Sequence, residues 1–302
     1  MTLNGSAPAI TLGRALDAAA RTLDAAGVEA PRGDARLLLA HAAGVTLTAL
    51  TTDPARALAP GAASRFAELV RRRRAREPVS HLLGKREFWS RDFIVGPAVL
   101  DPRPDSETLI EAALEFLPAG RTADVLDLGV GSGCLLLTLL AERPRARGLG
   151  VDLSPAAIDI ARRNAARLGV ADRASLFVGD WGAAVCGRFE LILCNPPYIA
   201  SGALATLAPE IILHEPRLAL DGGPDGYAAY RVIAGQIARL LASGGVGLVE
   251  AGSGQMADIV DIFSAEGCHL VAETRDLGGI ARCAALGISR PAPRPANDPP
   301  RN

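Results

Sequence analysis

Four consecutive residues, Asn195-Pro196-Pro197-Tyr198, follow a predicted buried strand and have side chains and carbonyls that could do chemistry. The two prolines stiffen the turn and remove two backbone N–H donors. The Asn195 side-chain oxygen and the Pro196 carbonyl make the turn rich in acceptors, and such a pair can accept both hydrogens of a planar NH2 group. The Tyr198 ring could pack on that group and favour a nearby cation. The alternative is a rigid loop that binds no ligand, which the glycine loop upstream makes a weaker interpretation.

A glycine-rich loop joins an earlier predicted strand to a predicted helix. It consists of Gly129, Val130, Gly131, Ser132 and Gly133. Glycines let a ligand approach the backbone and permit left-handed dihedral angles. Ligands of open α/β sheets bind beyond the carboxyl ends of the strands. A dinucleotide fingerprint would need a third glycine where the chain has Cys134, so the spacing favours a ligand without a pyrophosphate.

Acidic residues end the next two predicted strands. Asp152 follows the loop by about 20 residues, where an acid commonly binds ribose hydroxyls. Asp180 could accept a hydrogen bond from an adenine amino group, and the indole of Trp181 could stack on the adenine ring. The alternative is a cluster of turn glycines with surface acids. Because the acids stand at two successive strand ends, the sequence favours a nucleoside site.

The order of predicted elements suggests how these residues are positioned. Apolar residues at helical spacing predict helices between residues 12 and 74, where the basic run Arg71–Arg74 is interpreted as a solvated helix face. Aromatic and β-branched residues between 87 and 100 predict a short hairpin. From residue 123 onward strands alternate with helices, which predicts a parallel sheet covered on both faces. The stretch 269–288 predicts two strands with no helix between them, and so an antiparallel finish.

Composition excludes several classes of protein. The 302 residues carry 32 Lys+Arg and 33 Asp+Glu, for a formal net charge of -1, which argues against a general nucleic-acid binder. No apolar run has the length of a membrane span, and the four histidines are scattered, so we expect neither membrane insertion nor a metal site. Five cysteines without a CxxC pair, together with the lack of a secretory signal, suggest reduced thiols in a cytoplasm. The Pro-rich stretch 291–302 is expected to be disordered.

Taken together, these motifs resemble a known family. DLGVGSGC, the acid in GVDLS, GDW and NPPYI resemble class I S-adenosylmethionine-dependent methyltransferases that modify planar amide or amino nitrogens. More closely, the chain is similar to the protein-(glutamine-N5) methyltransferases (HemK/PrmC) that modify peptide chain release factors. The segments RRRRAREPVSHLLGKREFW, LDPRPDSETL, HEPRLALDGGPDGY, VEAGSGQ and RDLGGIAR extend the resemblance over almost the whole chain. Ser106 stands where that family commonly has threonine.

The resemblance implies a fold and a division of the chain. The expected fold class is α/β, with a Rossmann-like class I methyltransferase domain over 105–290 whose mostly parallel sheet has an antiparallel last strand. A small helical substrate-recognition domain over 1–85 and a linker hairpin over 86–104 would precede it. The resemblance also implies a cytoplasmic monomer that has release factors as protein partners and does not bind nucleic acid stably.

The resemblance also implies site residues, with S-adenosylmethionine as the cofactor. Gly129–Gly133 would hold its amino-acid end, Asp152 its ribose, and Asp180 with Trp181 its adenine. Asn195, Pro196, Pro197 and Tyr198 would hold the substrate glutamine, with Asn195 touching both ligands.

The implied reaction is methyl transfer to the N5 amide nitrogen of the glutamine in the Gly-Gly-Gln motif of release factors, which supports translation termination. Asn195, Pro196 and Tyr198 are the catalytic candidates, since acceptors there would align the nitrogen and stabilise its developing positive charge. We expect direct in-line transfer without a covalent enzyme intermediate.

Three other functions remain as alternatives. An N6-adenine DNA methyltransferase shares NPPY but would need a basic target-reading region. A nicotinamide dehydrogenase is disfavoured by the missing third glycine, and a non-catalytic interaction protein is disfavoured by the intact NPPY turn.

Overall fold

The structure is a computed structural model that describes residues 10–288, and the predicted disordered tail at 291–302 lies outside the described residues. The chain divides into two compact units, which we call the helical unit and the sheet unit. The helical unit contains the described residues up to Arg86, Ile94–Asp101 and Ala205–Pro216. The sheet unit contains Glu87–Phe93, Pro102–Leu204 and the described residues from Arg217 onward. Ala205–Pro216 therefore belongs to the helical unit although it falls inside the range predicted for the methyltransferase domain.

Helices form the core of the helical unit. They are α1 (Leu12–Asp24), α2 (Pro31–Ala43), α3 (Leu47–Thr52), α4 (Pro60–Arg74), α5 (Val79–Leu83) and, later in the chain, α9 (Pro209–His214). The side chains of Thr11 and Thr46 accept hydrogen bonds at the starts of α1 and α3, while prolines begin α2 and α4. The apolar faces of α1, α2 and α4 meet in one buried cluster.

A buried arginine joins three segments of the helical unit. Arg73 Nε donates to Asp34 on α2 at 2.7 Å, and its Nη2 donates to Glu210 on α9 at 2.8 Å. Arg76 also donates to Glu210 at 2.8 Å. The Arg73 side chain is only 8% exposed. The interpretation of Arg71–Arg74 as a solvated helix face is therefore wrong for Arg73, because Arg73 is buried and forms ion pairs with acids from distant parts of the chain.

The sheet unit contains a seven-stranded sheet. Its strands are β3 (Ala123–Leu128), β4 (Ala146–Asp152), β5 (Ala174–Val178), β6 (Phe189–Cys194), β7 (Leu241–Glu250), β8 (Cys268–Arg275) and β9 (Ala281–Ile288), and their order across the sheet is β5-β4-β3-β6-β7-β9-β8. The first five pair in parallel, and β9 pairs antiparallel with both β7 and β8. The predicted parallel sheet with an antiparallel finish is confirmed, as is the hairpin, formed by β1 (Lys85–Phe88) and β2 (Arg91–Ile94).

Helices cover both faces of this sheet. They are α6 (Glu107–Phe116), α7 (Cys134–Glu142), α8 (Pro155–Arg167), α10 (Ala228–Leu240) and α11 (Met256–Ala265). Residues of α6, α7 and α8 belong to one buried cluster, and residues of α10 and α11 belong to a second. The two clusters alternate along β3, where Val125 lies in the first and Leu126 in the second. Within residues 10–288, no helix is both long enough and apolar enough to cross a membrane.

Candidate functional site

The pairing register places the predicted motifs along one edge of the sheet. Leu128, the last residue of β3, pairs with Val151 of β4 on one side and Cys194 of β6 on the other. Cys194 in turn pairs with Val249 of β7. One residue further along the strands, the row consists of Asp152, Gly129, Asn195 and Glu250. Since neighbouring strands lie about 4.8 Å apart, the glycine loop and the NPPY turn share one carboxyl edge.

The three glycines of the loop have backbone angles that disfavour any side chain, and two of them also lack the space for one. Gly129, Gly131 and Gly133 have φ angles of 79°, 53° and 83°, which favour glycine. A Cβ on Gly133 would lie 2.6 Å from the Leu137 side chain, and a Cβ on Gly129 would lie 3.2 Å from the indole of Trp181. The structure thus brings Trp181, which is 52 positions away in the sequence, against the start of the loop. Val130 and Ser132 are buried between the glycines.

Asp152 ties the glycine loop to the next helix. Its Oδ2 accepts from the backbone N–H of Gly131 at 2.8 Å, and its Oδ1 accepts from the N–H of Ser154 at 2.9 Å. An ionised carboxylate has about four lone-pair sites, so this partly exposed side chain can still accept from hydroxyl groups. Asp180 is exposed beside the partly buried Trp181. The arrangement offers acceptors for ribose and adenine next to an aromatic ring.

Asp127 is a buried acid that the sequence analysis did not single out. It is 1% exposed, and neither carboxylate oxygen meets a hydrogen-bond partner among residues 10–288. Burial raises the pKa of Asp127 to about 7, the Asp152 charge adds to the rise, and the Leu136 backbone opposes part of it. The sequence signal that could have identified it is an acid within the otherwise apolar strand sequence VLDL. Such an unpartnered acceptor, two residues before Gly129, suits a cationic ligand group.

The NPPY turn is held by side chains from distant parts of the sheet unit. Asn195 Nδ2 donates to Ser106 Oγ at 3.1 Å, which leaves Oδ1 to accept from a ligand. The Tyr198 hydroxyl donates to Glu250 Oε1 at 3.3 Å, and the Tyr198 carbonyl accepts from Gln255 Nε2 at 3.1 Å. These contacts fix the turn at both ends.

Two later glycine loops pack directly on the backbone of the turn. A Cβ on Gly222 would lie 2.9 Å from the Pro197 carbonyl oxygen, and one on Gly226 would lie 2.7 Å from the Tyr198 carbonyl oxygen. A Cβ on Gly252 would lie 3.0 Å from the Tyr198 ring. The glycines of LDGGPDGY and VEAGSGQ are therefore explained by the close approach that these loops make to Pro197 and Tyr198.

Two cysteines near this edge of the sheet are poor nucleophiles because of burial. Burial raises the pKa of Cys134 to about 12, and it raises the pKa of Cys194 well above its ordinary value. Both thiols are therefore protonated at neutral pH. In the part of the chain that the structure describes, no group of three or more His, Cys, Asp or Glu side chains could hold a metal ion.

Comparison with known proteins adds a family likeness over nearly the whole chain. The PrmC N-terminal domain model matches residues 14–84, and the Methyltransferase small domain model matches residues 105–225. A release factor glutamine methyltransferase of Rhodospirillum rubrum is 48% identical over 91% of this chain and 84% of its own length. Proteins of the same name from Caulobacter vibrioides and Cereibacter sphaeroides are 45% and 49% identical over 95% and 91% of this chain, covering 99% and 97% of their own lengths.

Proposed function

This chain belongs to the release factor glutamine methyltransferase family, and we propose that it transfers a methyl group from S-adenosylmethionine to the side-chain amide nitrogen (N5) of a release-factor glutamine. The target glutamine is that of the Gly-Gly-Gln motif, so the reaction supports translation termination. The observation that carries the proposal is the pairing of β3 with β6, which sets Asn195 beside Gly129. An acceptor-rich turn and a nucleoside-type loop are thereby neighbours.

The residues at the sheet edge fit S-adenosylmethionine. Its amino-acid end carries an ammonium group, for which the unpartnered Asp127 carboxylate is a suitable acceptor. The backbone of Gly129–Gly133 offers a surface free of Cβ atoms at three positions. Asp152 can accept from the ribose hydroxyls, and Trp181 with Asp180 can hold the adenine. When bound, S-adenosylmethionine supplies an electrophilic methyl group on a sulfonium centre.

The chain's own residues have to make a poor nucleophile competent. The lone pair of a carboxamide nitrogen is delocalised into its carbonyl, so alignment and charge stabilisation decide the rate. Asn195 Oδ1 and the Pro196 carbonyl accept the two N–H bonds, orient the nitrogen and stabilise the positive charge that develops on it. Holding both partners in near-attack geometry supplies about 7–11 kcal/mol in favourable cases.

Proton transfer needs no dedicated base in this scheme. Burial and the Glu250 carboxylate raise the pKa of Tyr198, so its hydroxyl stays protonated and donates to Glu250. The nitrogen loses its extra proton to solvent after methylation. Tyr198 acts through its ring, which packs on the substrate amide, and Pro197 keeps the turn stiff.

The setting of the reaction completes the proposal. The region 1–85 recognises the release factor, the segment 86–104 links it to a methyltransferase domain over 105–290, and the protein acts as a cytoplasmic monomer. The formal net charge of -1 supports a protein substrate over stable nucleic-acid binding.

Mass spectrometry of a release factor after incubation with the protein and S-adenosylmethionine tests the function. We expect one added methyl group on the Gly-Gly-Gln glutamine, and none on a release factor whose target glutamine is replaced by alanine. Duplex DNA is assayed in parallel with radiolabelled S-adenosylmethionine. Label in adenine of DNA, with an unmodified release factor, would favour the alternative N6-adenine DNA methyltransferase and overturn the proposal.

A further inference from the structure

A chain of hydrogen bonds connects a buried acid to the side chain of Asn195. Glu250, which ends β7, is 1% exposed, and Ser106, which ends the 3-10 helix Pro104–Ser106, is 2% exposed. Ser106 Oγ donates to Glu250 Oε2 at 2.5 Å, and Asn195 Nδ2 donates to Ser106 Oγ at 3.1 Å. The Tyr230 hydroxyl donates to the Glu250 backbone carbonyl at 2.9 Å, which anchors the acid on the strand.

The chemistry of the three groups fixes the direction of this chain. An ionised carboxylate only accepts hydrogen bonds, so Glu250 takes the single proton of the Ser106 hydroxyl. Ser106 Oγ is then left with lone pairs and can only accept from its other neighbour. The amide nitrogen of Asn195, and not its oxygen, must therefore face Ser106. The Asn195 oxygen is turned away from Ser106 as a consequence.

We propose that Ser106 and Glu250 are positioning residues that hold the Asn195 carboxamide with its oxygen toward the substrate amide. This inference rests on the proposed function, because it assigns the orientation of Asn195 that accepts an N–H of the target glutamine. An inverted Asn195 would present its NH2 group to the NH2 group of the substrate, and two donors cannot bond. The pair thus keeps the productive orientation of Asn195 populated.

Protonation of Glu250 would release this control. A neutral carboxyl group can donate to Ser106 Oγ, the Ser106 hydroxyl can then donate to Asn195 Oδ1, and the amide inverts. Burial raises the pKa of Glu250 to about 7, while Ser106, Tyr198 and Arg282 partly oppose the rise and Asp105 adds to it. The turnover number should therefore increase with pH across neutrality.

The tyrosine and cysteine side chains near Glu250 stay uncharged in this range, and Arg282 stays positively charged. Burial and the Glu250 charge raise the pKa values of Tyr198, Tyr230, Cys134, Cys194 and Cys283. Asp127 titrates near pH 7 but lies on β3, where it is placed to act on cofactor binding. Turnover is accordingly measured at saturating S-adenosylmethionine, so that changes in cofactor affinity do not enter the profile.

A serine series tests the positioning role. Ser106→Ala should lower kcat about fivefold or more, the equivalent of one ordinary hydrogen bond, with KM values for S-adenosylmethionine and the release factor nearly unchanged. Ser106→Thr keeps the hydroxyl that Ser106→Ala removes, so its kcat should be close to that of the wild type. Thr138→Val is the matched control, because Thr138 is 0% exposed and its hydroxyl has no partner within the described residues. It should leave kcat unchanged.

The acid is tested by its pH profile. Glu250→Gln keeps the shape of the side chain but lets its NH2 group donate to Ser106, so kcat should stay at the acidic limit of the wild-type profile between pH 6 and pH 8. The inference is overturned if Ser106→Ala keeps wild-type kcat, if Ser106→Thr and Ser106→Ala are equally impaired, or if Glu250→Gln follows the wild-type pH profile. Failure of the wild-type protein to methylate a release factor would instead reject the proposed function.

Discussion

Replacing the buried acid Asp127 by asparagine should stabilise the sheet unit at alkaline pH and weaken cofactor binding. The wild-type carboxyl group lies at the end of β3 with neither oxygen hydrogen-bonded among residues 10–288. Its ionisation in that environment is costly, because the Leu136 backbone compensates only part of the lost hydration. The same charge is the feature that suits it to an ammonium group of the cofactor, so stability and binding should change in opposite directions.

The size of the effect follows from the pKa of Asp127, which burial raises from 3.8 to about 7. Because the pKa of Asp127 is raised in the folded state, its contribution to the free energy of unfolding is fully present below pH 4. That contribution is lost as the pH rises through 7. Between pH 5 and pH 8 this loss amounts to about 2–3 kcal/mol in the free energy of unfolding. Asp127→Asn removes the titration, so its stability relative to the wild type should increase by that amount over the same interval.

Urea unfolding at pH 5 and pH 8 measures this difference. Both tryptophans of the chain, Trp89 and Trp181, lie in the sheet unit, so their fluorescence reports the unfolding of that unit. Asp124→Asn changes an exposed acid on the same strand and should show no such pH-dependent gain. Calorimetry at pH 8 should show weaker S-adenosylmethionine binding for Asp127→Asn. An equal change in stability at both pH values would refute the reasoning about the buried charge.

Three further substitutions probe separate contacts. Gly129→Ala places a Cβ at positive φ and 3.2 Å from the Trp181 indole, so we expect a loss of about 1–2 kcal/mol in thermal stability together with weaker cofactor binding. Trp181→Ala should weaken S-adenosylmethionine binding by about 1–3 kcal/mol in calorimetry, with kcat at saturation largely kept. Arg73→Ala leaves Asp34 without its buried partner and Glu210 with Arg76 alone, and should cost about 2–3 kcal/mol in urea unfolding of the helical unit followed by circular dichroism. Unchanged binding in the first two, or an unchanged transition in the third, would contradict these assignments.

Local patterns predicted the sheet well, because strand and helix signals depend on neighbouring residues. Serine followed by proline is a typical helix start, and α8 begins at Pro155 with the Ser154 side chain as its cap. Strand β7 begins at Leu241, although its continuous apolar pattern begins only at Val246. The glycine-containing stretch between these residues is part of the strand because Leu241 pairs with Phe189 of the parallel neighbour β6. The pairing register shifts between Phe189 and Leu191.

Contacts between distant residues could not be predicted in the same way. Ser106 and Glu250 are 144 residues apart in the sequence, and Ser106 is 89 residues from Asn195. Each alone reads as an ordinary polar residue at the end of an element. Ser106, Glu250 and Asn195 become neighbours only because β6 pairs with β7 and the 3-10 helix lies beside them, and the three side chains then form one chain of hydrogen bonds. Arg73 and Glu210, 137 residues apart, were missed for the same reason.

The catalytic role of Asn195 is tested most directly by the turnover of Asn195→Ala with a release factor, measured beside its affinity for S-adenosylmethionine. The side-chain oxygen of Asn195 stabilises charge that develops during methyl transfer, so kcat should fall about 100-fold or more while the cofactor dissociation constant stays within a few-fold. Near-normal turnover of Asn195→Ala would contradict the assignment of the NPPY turn as the site that holds the glutamine amide.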